Sequence, residues 1–466
     1  MKKLPCFKHL ISKKISEYNK VKPFRSRFML DFLATSVITP VLPFFLGFVG
    51  IILYRDLGFF PFSKPRRAFS SLFSSSDSSS WRALSVALAG TLGVGNIIGV
   101  AYAITTAGAG ALFWMWASAL LAMILKYGET LLAIKYRKNI SQNKHTPQYV
   151  GGAMYYIPNR YLAAMFALLC VVSSFTVGNL LQTKAVSDAF ALNFSLSPYT
   201  VGIALAILTL LVIWRGIRRI TQFCSVVIPF LSLVYLVMCI AVILKNYASI
   251  PSLFAQIVTE AFSLRAVGGG IGGTFIFHAM KVGFSKGLIT NEAGCGTAPI
   301  AHASADTDSA VKQGLLGVVE VFFDTIVLCT ASGLVLLLAQ QNATSLDGYA
   351  LVLSAFEPLF GRLADIILPL CIFFFVLATL VSWSYYGKSA LTYFTQNRAI
   401  QKLYLLFFST VAFFGAVGEA GIFWQLSDIT LGLMTFINAG YLLYFRRNIK
   451  DETKTFLQND THPTAK

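Results

Sequence analysis

The sequence predicts an all-α polytopic membrane protein, and two observations support this fold class. Hydrophobic residues make up 56% of the 466 positions, whereas charged residues make up only 12%. That charged share is about half of what soluble domains usually carry. Apolar stretches long enough to cross a hydrocarbon core roughly 30 Å thick also recur along the chain. The mean hydropathy of +0.67 agrees with a chain that is solvated mostly by lipid.

Eleven apolar segments are predicted to span the membrane, with basic clusters in alternate loops. By the positive-inside rule these clusters place the C-terminus in the cytoplasm. Eleven crossings then place the N-terminus outside, which conflicts with nine Lys and Arg residues among the first 27. Pro40 and Pro43 therefore leave a broken or re-entrant first segment open. The predicted segments are 29–54, 84–106, 111–136, 162–186, 198–214, 220–244, 267–289, 311–339, 366–392, 403–417 and 421–445.

Composition and motifs argue against several other classes of protein. The net charge of +18 comes from the N-terminal tail and alternate loops rather than one patch, so no nucleic-acid partner is expected. The seven cysteines show no CxxC spacing and are interpreted as buried hydrophobes. No HExxH motif is present, and the chain is not expected to be an enzyme. A passive channel is disfavoured because polar positions cluster at mid-depth instead of forming continuous stripes.

Glycine clusters interrupt two predicted segments that are five segments apart. The second contains GTLGVGN at positions 90–96, and the seventh opens with GGGIGG at 268–273. Glycine is costly inside a helix. Two interruptions at corresponding places indicate two halves of five crossings, which must have opposite orientation, with a binding site near the bilayer midplane. Close helix packing is the alternative. The candidate pocket backbone is Gly93, Gly95, Asn96, Gly270 and Gly272.

Two further polar clusters lie at membrane depth. Asn179 and Gln182 share one face of the fourth segment, where they could bind an amine or a carboxylate or bond to another helix. Thr379 and Ser382 share a face of the ninth, where their hydroxyls could bind sodium or bond back to their own helix. Trp383 could form the wall of a small pocket or mark packing.

Ionisable residues inside the predicted segments are expensive unless they are paired or functional. Glu320, Asp324 and Asp428 are such carboxylates, and His278 lies in the seventh segment. The sequence leaves open whether they form a proton relay or structural contacts. His302 is placed in a cytoplasmic loop.

Several runs of residues resemble one known family, the alanine or glycine:cation symporters. AGTLGVGNIIGVA at 89–101 and GALFWMW at 110–116 look like its signature segments. GGAMYY at 151–156 is similar to its GGPMYY, and KGLITNEAGCGTAPIAH at 286–302 is similar to its RGLFSNEAGxGSAP. The resemblance implies a leucine-transporter-like fold of ten helices in two inverted five-helix repeats, with one extra N-terminal helix. It also implies sodium-coupled symport of L- or D-alanine or glycine.

The resemblance further implies where substrate and ion bind. The substrate pocket would involve Gly93, Gly95, Asn96, Gln182, Thr379 and Trp383. By fold analogy, sodium would be held by Thr379 and Ser382 together with backbone carbonyls near Gly90 and Gly93. Departures from the family pattern at Val94, Ile98, His278 and Lys281 leave a proton-coupled small amino-acid permease as the alternative.

The expected organisation follows from these repeats. It comprises a basic tail at 1–28, an extra helix at 29–55, repeats at 82–245 and 266–446, and a cytoplasmic tail at 447–466. The lipid bilayer and a small amino acid are the expected partners. We expect a monomer in the inner membrane of a bacterium.

Overall fold

The computed structural model describes residues 38–60, 78–141, 148–263, 273–307, 309–340 and 348–461. These residues are mostly helical, with one short antiparallel hairpin of β1 (Lys138–Asn139) and β2 (Tyr149–Val150). The helices are α1 (Thr39–Leu57), α2 (Ser78–Thr91), α3 (Val100–Ala107), α4 (Gly110–Tyr136), α5 (Ala153–Tyr156), α6 (Arg160–Phe175), α7 (Leu181–Phe194), α8 (Pro198–Ile213), α9 (Ile217–Lys245), α10 (Ile250–Ala261), α11 (Gly273–Asn291), α12 (Ala298–His302), α13 (Ala310–Val321), α14 (Thr330–Gln340), α15 (Gly348–Phe360), α16 (Ala364–Phe394), α17 (Arg398–Val417), α18 (Ala420–Tyr444) and α19 (Arg446–Thr461).

The polytopic helical class is confirmed. Among the described residues, eight helices are long and apolar enough to cross a membrane, or nine if the bent pair α2 and α3 counts as one span. Helices also occupy the two remaining predicted locations, but α8 has only 16 residues and α11 carries Lys281 and Lys286. The number eleven therefore stays a prediction.

The N-terminal part of the bundle is regular where it is described. Helix α1 runs unbroken although it contains Pro40 and Pro43. Pro40 lies in the first turn, where its missing N–H would have no helical partner, and Pro43 lies inside the helix near its start, where it removes one hydrogen bond. The described part of the first predicted segment is thus a simple helix rather than a re-entrant one.

Three long helices contain π-helical turns in their buried middle parts. The turns are Gly95–Gly99 before α3, Thr176–Leu180 between α6 and α7, and Phe322–Cys329 between α13 and α14. Such turns leave carbonyls without the usual partners and occur often at functional sites. Each of the three carries a buried polar side chain: Asn96, Asn179 and Asp324 respectively.

The predicted break in the seventh segment stays a prediction, and the structure shows a second break after this segment. Residues 268–272, with the predicted Gly270 and Gly272, lie outside the described residues. Helix α11 begins at Gly273 and continues to Asn291, after which the backbone turns before α12. Positive φ angles at Glu292 (51°), Gly294 (78°) and Gly296 (77°) end the helix there. In the part that the structure describes, this segment is therefore interrupted at its far end.

Two predicted loops contain helices. The stretch between α9 and α11 includes α10, and the acidic stretch before α16 includes α15. Proline lies in the first turn of α10, where it is compatible with a helix, whereas Pro358 lies inside α15, two residues before its end. Helix α19 occupies the predicted C-terminal tail, buries Ile449 and bonds Thr453 Oγ1 to Tyr127 Oη at 2.6 Å. These segments cover the bundle rather than extending from it.

Candidate functional site

The break between α2 and α3 brings together three residues that the sequence placed on separate segments. The two helices are bent by 49° where Leu92 and Gly93 leave helical geometry. A Cβ on Gly93 would lie 2.9 Å from Gln182 Oε1 and 3.0 Å from Thr379 Oγ1. Gly95 likewise faces Thr290, with a Cβ expected 3.1 Å from its Oγ1. Only glycine permits such a close approach to these polar groups.

Side chains satisfy the backbone amides that the break frees. The Gly93 N–H donates to Asn96 Oδ1 at 3.2 Å, and the Val94 N–H donates to Gln182 Oε1 at 3.2 Å. The Gln182 amide donates in turn to the Val177 carbonyl at 3.2 Å. Free N–H groups at the start of a half-helix can bind a carboxylate. The break therefore offers two adjacent amides whose present partners are neutral oxygens that a carboxylate could replace.

Asp324 holds Asn96 in this arrangement. Asn96 Nδ2 donates to Asp324 Oδ1 at 2.8 Å, and Thr325 Oγ1 donates to Asp324 Oδ2 at 2.8 Å. Asn291 Nδ2 reaches Thr325 Oγ1 at 3.3 Å and links the second break to the same network. The carboxylate thus has hydrogen-bond donors on both oxygens. This geometry gives Asp324 a positioning role, one of the two possibilities that the sequence left open.

Two hydroxyls of α16 approach the broken helix from the other side. Ser382 Oγ donates to the Val86 carbonyl at 2.6 Å. Thr379 Oγ1 bonds to the Phe375 carbonyl of its own helix at 3.0 Å and lies 3.4 Å from the Leu92 carbonyl. The nearby carbonyls are thus those of Val86 and Leu92, where the sequence predicted carbonyls near Gly90 and Gly93. No group of three or more His, Cys, Asp or Glu residues in the described ranges could hold a metal ion. A cation here would be bound by neutral oxygens.

A small cavity with room for about one water molecule lies against the broken helix. Gly93 and Asn96 of this cavity were predicted from the sequence. The apolar residues that α9, α16 and the turn before α14 contribute to it were not predicted. Nothing distinguishes those residues from other apolar residues of spanning helices. The lining residues are Leu92, Gly93, Asn96, Ile97, Tyr235, Leu328 and Phe375.

Gly93 and Asn96 are the predicted site residues that line this cavity. Gly95, Gln182 and Thr379 lie at the break without lining it, whereas Trp383 and Asn179 lie elsewhere. Trp383 is fully buried against Gly178, where a Cβ would come within 2.3 Å of the tryptophan, and its ring packs on Tyr386 at 5.4 Å. Trp383 therefore supports the helix that bears Gln182 instead of lining the cavity. Asn179 donates to the Phe408 carbonyl at 2.7 Å and so joins two helices.

A buried cluster of charged residues includes Lys126 of α4, which was not predicted as a functional residue from the sequence. Lys126 Nζ is 3.2 Å from Glu320 Oε1, and His302 Nε2 is 3.0 Å from Glu320 Oε2. Gln313 Nε2 lies 2.8 Å from His302 Nδ1. His302 is fully buried, so its placement in a loop was wrong. A lysine within an apolar segment was the available signal, because such a residue needs a partner.

The turn after α11 is held by a second buried carboxylate. Glu129 Oε2 accepts from the Gly296 N–H at 3.0 Å and from Asn438 Nδ2 at 2.8 Å, and Asn438 in turn accepts from Tyr156. Within the turn, Thr297 Oγ1 donates to Glu292 Oε2 at 2.7 Å. The segment at 291–294 is thus a hydrogen-bonded break inside the protein. It lies close to the first break, because Gly95 of that break faces Thr290.

Comparison with known proteins identifies the family. The model of the sodium:alanine symporter family matches residues 25–465. The chain belongs to this family. The sodium/alanine symporter AgcS of Methanococcus maripaludis is 36% identical over 87% of this chain and 92% of its own length. An uncharacterized transporter of Haemophilus influenzae is also 36% identical, over 89% of this chain and 92% of its own.

Solved structures confirm the fold of this family member. The crystal structure of MhsT in complex with L-phenylalanine superimposes with a TM-score of 0.54 at 13% identity, covering 78% of this chain and 88% of that one. The predicted leucine-transporter-like architecture is therefore correct.

The symporter is a membrane transporter and not an enzyme. Residues 283–287 do have the G-x-S-x-G spacing of some hydrolases, but they lie within helix α11 and not in a strand-to-helix turn.

Proposed function

We propose that this family member carries alanine or glycine across the membrane together with sodium. The observation that carries the proposal is the pair of freed backbone amides at the break, beside a small, mainly apolar cavity. Both the name of the family and that of its M. maripaludis relative point to alanine. A small amino acid presents a carboxylate, an ammonium group and almost no side chain. These are the requirements of a small site built from backbone amides, amide oxygens and apolar walls.

The substrate would be oriented by its charged groups. Its carboxylate would bind the N–H groups of Gly93 and Val94, while the Oδ1 and Oε1 oxygens of Asn96 and Gln182 would become available to the ammonium group. Ile97 and other apolar walls leave little room beyond a methyl group. Gly95 and Trp383 contribute by packing, and Gly270 and Gly272 stay predictions.

The cotransported sodium ion would bind on the α16 side of the break. Thr379 and Ser382 supply hydroxyl oxygens, and Val86 and Leu92 supply carbonyls. Hard neutral oxygens of this kind suit sodium. Proton coupling is less favoured: both oxygens of Asp324 have hydrogen-bond donors, and His278 lies at an exposed position with its Nε2 3.2 Å from the Thr106 carbonyl.

The orientation and setting follow the charge distribution. The basic loops support the proposal that α19 and the C-terminus lie in the cytoplasm. We further propose that the transporter works as a monomer in a bacterial inner membrane.

Uptake of labelled alanine into proteoliposomes tests the proposal. We expect accumulation with an inward sodium gradient, none when choline replaces sodium, and inhibition by excess unlabelled glycine. Equal accumulation driven by a pH gradient alone would contradict sodium coupling. Failure to accumulate alanine or glycine under either gradient, with correctly folded protein, would contradict the proposed substrates.

The double substitution Thr379→Val/Ser382→Ala is expected to weaken sodium dependence. Loss of two ion-binding oxygens should raise the sodium concentration for half-maximal uptake by about tenfold or more. The matched control is Ser409→Ala/Thr410→Val, because each of those hydroxyls bonds to its own helix. Initial uptake rates against sodium concentration give the comparison. An unchanged sodium dependence with both α16 hydroxyls removed would show that sodium binds elsewhere.

A further inference from the structure

A second cavity lies where α16 ends and α17 begins. It has a volume of about 690 Å³ and shares no lining residue with the candidate substrate cavity. Its walls come from the turn between α8 and α9, the C-terminal end of α16, the start of α17 and the hairpin. The charge pattern of the loops predicts that this end faces the cytoplasm.

The cavity is lined by cations without carboxylates. Among the residues that the structure describes, five basic side chains and no Asp or Glu line it. Lys388 is half-buried in its wall. In the described parts of the chain, none of the five forms an ion pair with a carboxylate. Like charges that share a cavity repel one another, and an anion would relieve this repulsion. The five are Arg215, Arg218, Lys388, Arg398 and Lys402.

An orientation signal alone does not account for this arrangement. Several other basic residues near the same membrane face have partners: Lys135 pairs with Glu452 at 2.5 Å, and Arg446 lies 3.7 Å from Asp56. The positive-inside rule requires basic residues in loops, not their convergence on one concave wall. Lys388 belongs to a spanning helix, where an ammonium group without a partner is costly. The cavity therefore concentrates positive charge that no carboxylate of the described residues compensates, although Lys402 lies over the Trp214 ring at 5.8 Å.

We propose that this cavity binds a phosphate-bearing anion. Arginine guanidinium groups bind phosphate oxygens in a bidentate manner, and lysines add point charges. Basic pockets between helices at the cytoplasmic face commonly take anionic lipid headgroups. Trp214, which lines the cavity and is 48% exposed, suits a position at the headgroup level. A soluble phosphate ester has the same chemistry. The site is distinct from the amino-acid site and does not depend on the substrate proposed above.

The test compares two triple variants of the full chain that remove the same charge. Arg218→Gln/Lys388→Gln/Lys402→Gln neutralises the cavity, whereas Arg219→Gln/Arg447→Gln/Lys450→Gln neutralises basic residues that do not line it. Purified protein in neutral detergent is titrated with phosphatidylglycerol, with phosphatidylethanolamine of the same acyl chains, and with inorganic phosphate or glycerol phosphate. Native mass spectrometry counts bound lipid, and the shift in melting temperature reports the soluble anions.

We expect the wild type to retain phosphatidylglycerol over phosphatidylethanolamine and the cavity variant to bind it about a hundredfold more weakly, with the surface variant unchanged. If instead the soluble phosphates stabilise the wild type but not the cavity variant, and phosphatidylglycerol shows no preference, the site stands and its ligand is soluble. The proposal is overturned if neither class of anion distinguishes the wild type from the cavity variant. It is also overturned if the surface variant loses binding to the same extent.

Discussion

Replacing Lys126 with methionine is expected to cost about 3–5 kcal/mol of unfolding free energy. The lysine is fully buried and its Nζ lies 3.2 Å from Glu320 Oε1. Methionine has a similar length but no charge, so Glu320 would lose its nearest cation in a low-dielectric interior while keeping only His302. Denaturant-induced unfolding of the purified protein in mixed micelles measures the change.

Lys135 provides the matched control on the same helix. Its ion pair with Glu452 is one-third exposed, at 34% and 38% for the two side chains. Lys135→Met is therefore expected to change stability by less than about 1 kcal/mol. Adding Glu320→Gln to Lys126→Met should recover part of the loss, because it removes the unpaired charge. Equal stability of Lys126→Met and Lys135→Met would contradict a stabilising role for the buried pair.

Gly93→Ala is expected to leave the protein folded but to reduce alanine uptake by about a hundredfold. The added Cβ would meet Gln182 Oε1, the end of a flexible side chain, at 2.9 Å and the hydroxyl of the stiffer Thr379 at 3.0 Å. Gln182 can move away at small cost to folding and Thr379 needs a shift of a few tenths of an ångström, but each then leaves the position it holds at the proposed substrate and sodium sites. Misplacement by about 1 Å commonly costs two orders of magnitude in rate. Uptake into proteoliposomes, normalised to folded protein, measures the effect.

Gly99→Ala is the control for backbone flexibility in the same broken helix. Its Cβ would meet only the Val94 carbonyl oxygen, at an ordinary 3.9 Å. This variant should therefore keep uptake within about twofold of the wild type, because it adds the same methyl group without displacing a site residue. Equal losses in both variants would show that helix flexibility, and not the contact with Gln182 and Thr379, limits transport.

The sequence was most informative where membrane physics restricts the choice of residue. Lipid accepts few backbone conformations other than helices, so long apolar segments predicted the fold class directly. Glycines at 90–95 predicted the break between α2 and α3, because glycine is rarely placed inside a buried helix without a reason. Polar residues such as Asn96, Gln182 and Thr379 were detectable because each needs a partner in lipid. All three do lie around the break.

Contacts between distant segments could not be obtained in the same way. Tyr235 and Phe375 line the small cavity although they are ordinary apolar residues, and Trp383, which looked like a pocket wall, packs on Gly178 instead. The direction in which a side chain points depends on the rotation of its helix. That rotation is decided by packing against neighbours far away in the chain.

The sequence by itself thus showed that most of this protein is surrounded by lipid and that it is helical. It also showed where the first break lies and which polar groups are available near it. Only the tertiary structure decided how these groups pair. It showed that Lys126 and His302 share Glu320, that Asp324 holds Asn96, and that the described second break follows Asn291. The physical reason is that a polar residue in a membrane-spanning segment must have a partner, so its presence in the sequence shows that a partner is needed. The identity of that partner depends on which helices come together.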